Sequence, residues 1–219
     1  MLTFKDEIRA RGAYSFCMCP GGQVVAAASE VGHVVTNGMS NFARDSGIAN
    51  GALVVTVGKK DFGTDILSGV RFQRELERAA FIRGGKNYRA PVQSVGDFVS
   101  GRVGSKNFLT TPTYPIGFTP ADLREVLPRD VCLTLIDALG HFDKKIPGFA
   151  ATDVVLTGVE SRTSSPVRIL RDEVSRQSVT AAGLYPIGEG AGYAGGITSS
   201  ALDGLKSAKN FLEKISQAT

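Results

Sequence analysis

The sequence lacks any run of about 18 apolar residues, which a membrane-spanning helix needs, and its first residues lack the apolar stretch of a secretory signal peptide. It has only three cysteines, and such an odd, sparse set suits a reducing compartment better than a disulfide framework. Its 25 basic and 21 acidic residues are interleaved, without the basic block that nucleic-acid binding favours. We therefore expect a cytoplasmic protein with free thiols that binds neither membranes nor nucleic acid.

The 219 residues, 42% of them hydrophobic, are enough for one sizeable core or for a core with a smaller second layer. Apolar and β-branched segments predict strands at 13–18, 24–28, 33–36, 52–57, 154–159, 167–171 and 184–187. Helical spacing predicts helices at 67–83, 95–99, 128–140 and 196–215. Strands come first, helices lie in the middle and a strand, turn and helix come last, so we predict an α+β fold.

Three local signals refine these boundaries. Thr119 before Pro120 is typical of a helix start, with the Thr hydroxyl as the cap. Gly140 is expected to end the helix that begins near Pro128. Asn37 followed by Gly38 is a hairpin-turn signature, which predicts a structural turn there.

The segment 184–197 combines an apolar strand pattern, a glycine-rich turn and the start of the last helix. Gly190, Gly192 and Gly195 satisfy the Gly-x-Gly-x-x-Gly pattern, which lets backbone amides approach an anion or a polar cofactor closely. A complete dinucleotide-binding unit needs a further parallel strand that ends in an acid about 20 residues on, and only 23 residues follow Gly196. The alternative is a glycine turn that serves only close helix packing.

A polar turn with Arg162, Ser164 and Arg168 is predicted between two strands. Arginine forks match carboxylates, so this turn is a candidate for binding a substrate carboxylate or the edge of a flavin. The alternative is a solvated hairpin loop. We keep these three residues as candidate catalytic residues.

Cys17 and Cys19 occupy alternate positions of a predicted strand, which would place both sulfurs on one face. Dithiol oxidoreductases separate their cysteines by two residues, and zinc sites need four good ligands. We therefore predict no metal site and expect the thiols to be buried or to line an active site, which keeps both as catalytic candidates. Cys132 is expected to lie on an apolar helix face.

The strand, the Gly188-Glu189 pair and the glycine-rich helix start resemble the C-terminal flavin-contacting motif of flavoproteins with two dinucleotide-binding domains. The resemblance implies that Glu189 holds a ribityl hydroxyl. It also implies that the helix start faces the pyrimidine edge of the flavin, where partial positive charge stabilises a reduced, anionic ring. The implied FAD contacts are Gly188, Glu189, Gly190, Gly192, Tyr193, Gly195, Gly196 and Ile197.

Four further segments, 15–22, 35–40, 72–75 and 157–168, resemble in order and spacing the uncharacterised FAD-dependent dehydrogenase family. The resemblance implies the C-terminal portion of such a protein without its N-terminal dinucleotide-binding segment. It further implies a substrate domain at 1–175, of which 153–175 lead back to the FAD domain. The remaining residues, 176–219, would be the strand, turn and helix of a glutathione-reductase-like FAD domain.

By this resemblance the parent enzyme transfers hydride between an organic small-molecule substrate and FAD. The chain alone is expected to be inactive, to bind FAD weakly or not at all, and to self-associate through surface that the missing half would cover. Two alternatives stay open. One is a stand-alone, non-enzymatic module that binds a small ligand or a protein, and the other is a cysteine-based redox or metal protein.

Overall fold

A computed structural model describes residues 1–104 and 106–218 of the chain. The chain divides into two compact units. Unit 1 consists of Met1–Phe62 and Phe72–Ser161, and unit 2 consists of Gly63–Arg71 and the residues from Arg162 onward. Strands and helices are both present, in agreement with the predicted α+β class.

Unit 1 contains the strands. Its first sheet has the antiparallel order β1-β2-β5, and a separate ribbon pairs β3 with β4. In the third sheet, β6 pairs in parallel with β7 and antiparallel with β8. The strand bounds are Leu2–Asp6 (β1), Arg11–Cys19 (β2), Gly22–Ala26 (β3), Thr36–Ser40 (β4), Asn50–Val55 (β5), Ala90–Ser94 (β6), Phe118–Pro120 (β7) and Val155–Thr157 (β8).

Three of the five α-helices in the described part of the chain were predicted from apolar periodicity. The five helices are α1 (Lys59–Phe62), α2 (Ser68–Arg83), α3 (Val95–Ser100), α4 (Arg129–Lys145) and α5 (Ile197–Ala218), with a 3-10 turn at Leu123–Glu125. The patterns predicted α2, α4 and α5, and a shorter signal predicted α3. No helix over the described residues is both long enough and apolar enough to cross a bilayer.

The hydrophobic core of unit 1 includes the buried face of α4. This helix buries one apolar face, and Phe142 at its C-terminal end packs with Ala13 of β2. The face also carries Cys132, which is 3% exposed, as the sequence predicted. On the same helix, the Thr134 hydroxyl donates a 2.6 Å hydrogen bond to Asp6 of β1, whose side chain is 2% exposed. Apolar packing and a buried polar contact together fix α4 against the first sheet.

Several predicted boundaries in unit 1 are wrong. The strand predicted at 33–36 shares only Thr36 with β4, and the one predicted at 24–28 is shifted from β3. Three further errors have a physical reason. Thr119 does not cap a helix, because 118–120 pair with β6 and the Thr119 hydroxyl donates to the Gly84 carbonyl at 2.6 Å. Gly140 does not end α4, which continues to Lys145 since Phe142 extends its buried face. Asn37 and Gly38 do not form a hairpin turn but lie within β4, where glycine leaves room for the Asn50 side chain.

Unit 2 contains α5 and irregular segments with few backbone ladders. The predicted strands at 167–171 and 184–187 do not form, and a single bridge between Arg171 and Ser178 is the isolated pairing there. Pro186 has no N–H to donate, and the neighbouring carbonyls serve other partners: Leu184 O accepts the Ser178 amide, and Pro186 O accepts Arg171. The segment before the glycine turn is therefore held by irregular contacts rather than by a sheet.

Candidate functional site

The glycine-rich segment of unit 2 forms a closed turn ahead of α5. The Tyr193 amide donates to the Gly188 carbonyl at 3.0 Å, and the Gly192 amide donates to the Glu189 carbonyl at 2.9 Å. Gly188 and Gly192 have φ values of +69° and +83°, which favour glycine. We call residues 188–193 the glycine turn.

Asp203 on α5 anchors the beginning of this turn. Its carboxylate accepts the Gly188 amide at 2.9 Å, two bonds from Arg171 at 2.9 and 2.7 Å and one from Arg176 at 2.7 Å. The hydrogen bonds from Arg171 outweigh the effect of burial and hold the pKa of Asp203 well below its usual range. The carboxylate is therefore ionised and fully used inside unit 2.

Tyr193 fixes the other end of the turn. Its hydroxyl donates to the Ile169 carbonyl and accepts the Arg171 amide, both at 3.1 Å. The Arg171 guanidinium lies 3.6 Å from the centre of the Tyr193 ring, a cation–π contact. Tyr193 was predicted to contact FAD, but the structure gives its hydroxyl and its ring partners within the chain.

Position 192 requires glycine, because the backbone of residues 167–168 lies close to it. A Cβ at this position would lie 2.5 Å from the Val167 carbonyl oxygen and 3.0 Å from the Arg168 Cα. The Arg168 Nε in turn donates to the Gly192 carbonyl at 3.0 Å. Arg168, predicted as a catalytic candidate, thus contacts the glycine turn.

Two glycines, one inside the glycine turn and one just after it, have open surroundings. Over the described residues, and apart from their chain neighbours, no atom lies within 4 Å of the position that a Cβ would take at Gly190 or at Gly195. Glu189 and Ile197 are exposed there, and the first turn of α5 has no acidic residue. A flat ring could approach this backbone closely, and the helix N-terminus would favour negative charge on it.

The other two members of the predicted polar turn have different settings. Ser164 is exposed and Arg162 is half-buried. The neighbouring Ser165 makes the contact that the sequence analysis missed: its hydroxyl is 2.8 Å from the Val167 carbonyl and 3.2 Å from the Gly190 carbonyl. A serine two residues before an extended segment is a recurrent local cap, and this signal could have identified it.

In unit 1, the cysteine pair lies at a β-bulge. The pairing of β2 with β5 shifts between Phe16 and Cys19, and Cys17 has a φ of +49°. The alternation that would place both sulfurs on one face is therefore broken. The Cys19 thiol lies 3.2 Å from the Cys17 carbonyl, and all three cysteines of the chain are free thiols.

Glu160 was not singled out from the sequence, although it shares this region with Cys17. Burial raises the pKa of the Glu160 carboxyl. Cys17 is exposed, so it is not the buried thiol that the sequence allowed, but partial desolvation and the nearby Glu160 charge still raise its pKa. The chain on either side of Glu160 is fixed: the Val159 carbonyl accepts the Thr36 amide at 2.9 Å, and the Ser161 hydroxyl donates to Glu77 at 2.7 Å. A carboxyl that holds its proton to higher pH is a candidate acid or base.

Metal chemistry has no cluster to support it in the part of the chain that the structure describes. Over those residues, no group of three or more His, Cys, Asp and Glu side chains could hold an ion. Cys132 is buried against the apolar core, which raises the pKa of its thiol to about 11.

Two comparisons relate the chain to known proteins. The family model described as "FAD-dependent protein, C-terminal domain-like" matches residues 2–163, a range that includes all of unit 1 except Met1. An uncharacterized protein of Clostridium beijerinckii is 54% identical over 214 residues, which cover 97% of this chain and 40% of that protein. The chain thus spans about two fifths of the length of the curated relative that it matches. From the match over residues 2–163, the chain belongs to the family of FAD-dependent proteins as a C-terminal domain-like member.

Proposed function

We propose that this chain is the substrate-facing and C-terminal flavin-contacting part of a FAD-dependent dehydrogenase. Family membership supports the cofactor. The observation that carries the proposal is the open face of the glycine turn at the start of α5, where Gly190 and Gly195 leave space for a ring. In this proposal 176–219 complete a FAD domain of glutathione-reductase type, and 1–175 face the substrate.

Contacts within unit 2 fix the backbone of the glycine turn in the absence of a ligand. Gly188 is fixed by Asp203, and Gly192 is fixed against the backbone at 167–168. By contrast, packing does not require glycine at the two open positions, Gly190 and Gly195. Gly190 and Gly195 therefore leave room for the close approach of a ligand, and a rigid turn would lose little entropy on binding.

The electrostatics of the turn suit the flavin end of FAD. The helix N-terminus carries partial positive charge, and the first turn of α5 has no acid to cancel it. The exposed Glu189 carboxylate can accept a hydrogen bond from a ribityl hydroxyl. FAD, when bound, would supply hydride acceptance from an organic substrate, which the chain's own side chains cannot perform.

Unit 1 offers a group that can hold a proton for the substrate. Glu160 is half-buried, which raises the pKa of its carboxyl, and its neighbours on both sides are hydrogen-bonded into the fold. A carboxyl with a raised pKa keeps its proton to higher pH than an exposed one and is a candidate acid or base. We assign Glu160 this role in preference to Cys17, because the raised pKa of Cys17 disfavours a thiolate.

An absorbance titration with FAD tests the proposal. The native chain, which in this proposal lacks the adenine-binding half, should perturb the flavin bands weakly but saturably. Gly190→Val and Gly195→Val should weaken binding by about tenfold or more, because a branched side chain blocks the ring. Gly204→Val on α5 is the matched control and should bind as the native chain does. Equal binding by all four proteins, or no flavin binding by the native chain, would contradict the proposed site.

A further inference from the structure

A cavity lies in unit 1, and none of the residues of the glycine turn line it. It is a cleft of about 830 Å³ between α3, α4 and the segment 150–153. Clefts of roughly 300–1,000 Å³ are typical of small-molecule sites. The cleft is thus large enough for a ligand of its own.

The floor of the cleft is apolar. Val95 and Leu139 contribute to it and are 3% and 2% exposed. Ile136, one helical turn before Gly140, lines it as well. These side chains belong to or pack against the main core of unit 1, so the floor is rigid. An apolar body of a ligand would bind here by displacing water.

Gly140 recesses one wall. It lies within α4, where glycine is less favourable than alanine. Over the described residues, and apart from the adjacent backbone, no atom lies within 4 Å of the position that its Cβ would take, so packing does not require glycine there. At Gly96, on the facing helix, a Cβ would meet Thr152 at 3.0 Å, and packing explains the glycine. Gly140 lines the cleft without a side chain, which leaves the cleft wider at this point.

The backbone amides next to the cleft already donate hydrogen bonds to other groups of the fold. The Val95 amide donates to Val154 at 2.8 Å, and the Gly96 amide donates to Thr152 at 2.9 Å. The Asp97 amide donates to the Ser94 hydroxyl at 3.1 Å. These three amides at the start of α3 are therefore not available to bind an anion.

The charges around the cleft favour a cation. Three carboxylates line it, against the two cations Arg102 and Lys144, which leaves one negative charge in excess. Arg102 lies 3.7 Å from Asp97, and Asp143 accepts the Ala150 amide at 2.9 Å. The exposed Asp153 at the rim completes the three.

We propose that this cleft binds a small organic cation, an amine or ammonium group attached to an apolar body. The apolar part occupies the floor beside Leu139 and Gly140, and the charged group lies towards Asp153 and Asp143. The site is independent of the flavin proposal, since it uses no residue of unit 2.

Titrations followed by amide NMR on the full chain test this site with three probes of matched shape: phenethylamine, phenethyl alcohol and hydrocinnamate. Phenethylamine should bind saturably and shift resonances of 94–100, 136–144 and 150–153. The alcohol should bind more weakly and the carboxylate most weakly. Binding of the alcohol or the carboxylate as tightly as the amine would overturn the cation assignment, and the absence of saturable shifts in these segments would overturn the site.

Two variants separate the floor from the charge. Gly140→Leu fills the recess and should weaken amine binding by about tenfold or more, whereas Gly204→Leu, a helix-interior glycine of unit 2, should leave it unchanged. Asp153→Asn should weaken the amine about two- to fivefold, the range of an exposed ion pair, and leave the alcohol unaffected. Unchanged amine binding in Gly140→Leu, with its fold confirmed by the same spectra, would refute the proposed position.

Discussion

Arg171 and Asp203 form a two-point ion pair, with Nη1–Oδ2 at 2.9 Å and Nη2–Oδ1 at 2.7 Å. The two side chains are only 8% and 12% exposed. The same carboxylate holds the Gly188 amide, and the same guanidinium lies on the Tyr193 ring. This pair therefore connects both ends of the glycine turn to α5, and the turn depends on it.

Asp203→Asn should destabilise unit 2 by about 2–3 kcal/mol, because Arg171 and Arg176 would lose their charged partner in a buried setting. Hydrogen exchange at the Tyr193 and Ser178 amides measures the effect and should become faster. Glu173→Gln, which changes an exposed carboxylate nearby, is the control and should leave exchange unchanged. Native exchange rates in Asp203→Asn would show that the pair does not hold the turn.

Two glycines of the turn should respond differently to alanine. Gly192→Ala places a Cβ 2.5 Å from the Val167 carbonyl at a φ of +83°, and should cost more than about 1 kcal/mol. Gly190→Ala meets no atom within 4 Å and should stay within about 0.5 kcal/mol of the native chain. Urea unfolding compares the two, and equal stabilities would mean that the backbone approach at Gly192 is not tight.

Acid should reveal the contribution of Asp6. Burial opposes its ionisation, but hydrogen bonds from Thr134 and Arg9 prevail and lower the pKa of Asp6 to about 2. A carboxyl with a lowered pKa in the folded state stabilises the fold above its ordinary pKa of about 3.9. The stabilisation is lost as the pH falls towards about 2.

Thr134→Val removes one of the donors to Asp6 and should cost about 1–3 kcal/mol at neutral pH. The difference from the native chain should shrink as the pH falls from about 4 to about 2, because protonated Asp6 no longer needs the donor. Thr134→Ser keeps the hydroxyl and should behave as the native chain does. A stability difference that stays constant down to pH 2 would contradict the role of Asp6.

The thiols of Cys17 and Cys132 should react slowly with Ellman's reagent at pH 8. Burial raises the pKa of Cys132 to about 11, so this thiol should react only after unfolding. Partial desolvation and the neighbouring Glu160 raise the pKa of Cys17, so Glu160→Gln should speed its modification. Mass spectrometry of the labelled peptides assigns each rate. Fast labelling of Cys132 in the folded chain would show that its part of the core opens readily.

The isolated chain should self-associate through α5. Leu205 and Leu212, seven residues apart and so on one helix face, are 70% and 62% exposed. A contiguous exposed apolar face favours pairing with another copy. Sedimentation velocity over a range of concentrations should show association, which Leu205→Lys with Leu212→Lys should abolish. Glu213→Lys reverses a charge on the same helix, and so changes the net charge as much as the two lysines do, without removing an apolar side chain. It should keep association, whereas a native chain that is a monomer at every concentration would contradict this expectation.

The sequence was most informative where one physical signal dominates. The apolar periodicity of α2, α4 and α5 predicted these helices. In α4 the periodic face is buried, whereas in α5 the apolar residues that carry the same spacing are exposed. Prediction failed at Gly140, where the continued apolar face outweighs the glycine, and at 184–187, where Pro186 and local carbonyl contacts replace a strand ladder. Local patterns carry no information on such tertiary partners.

The candidate site shows the same division. The spacing of Gly190, Gly192 and Gly195 predicted a glycine turn before the last helix, and the structure has one. It did not separate Gly192, which the backbone at 167–168 requires, from the two open positions. It also missed Glu160, because burial of a single acid is a property of the assembled fold.

We propose that this chain contacts the isoalloxazine and ribityl end of FAD and not its adenine half. Fluorescence-quenching titrations with FAD, riboflavin and lumiflavin test it most directly, with Glu189→Gln beside the native chain. We expect similar affinities for FAD and riboflavin and a weaker affinity for lumiflavin. Glu189→Gln should weaken the binding of FAD and riboflavin only. Binding of FAD far tighter than that of riboflavin would place the main contacts on the adenine half and contradict the proposal.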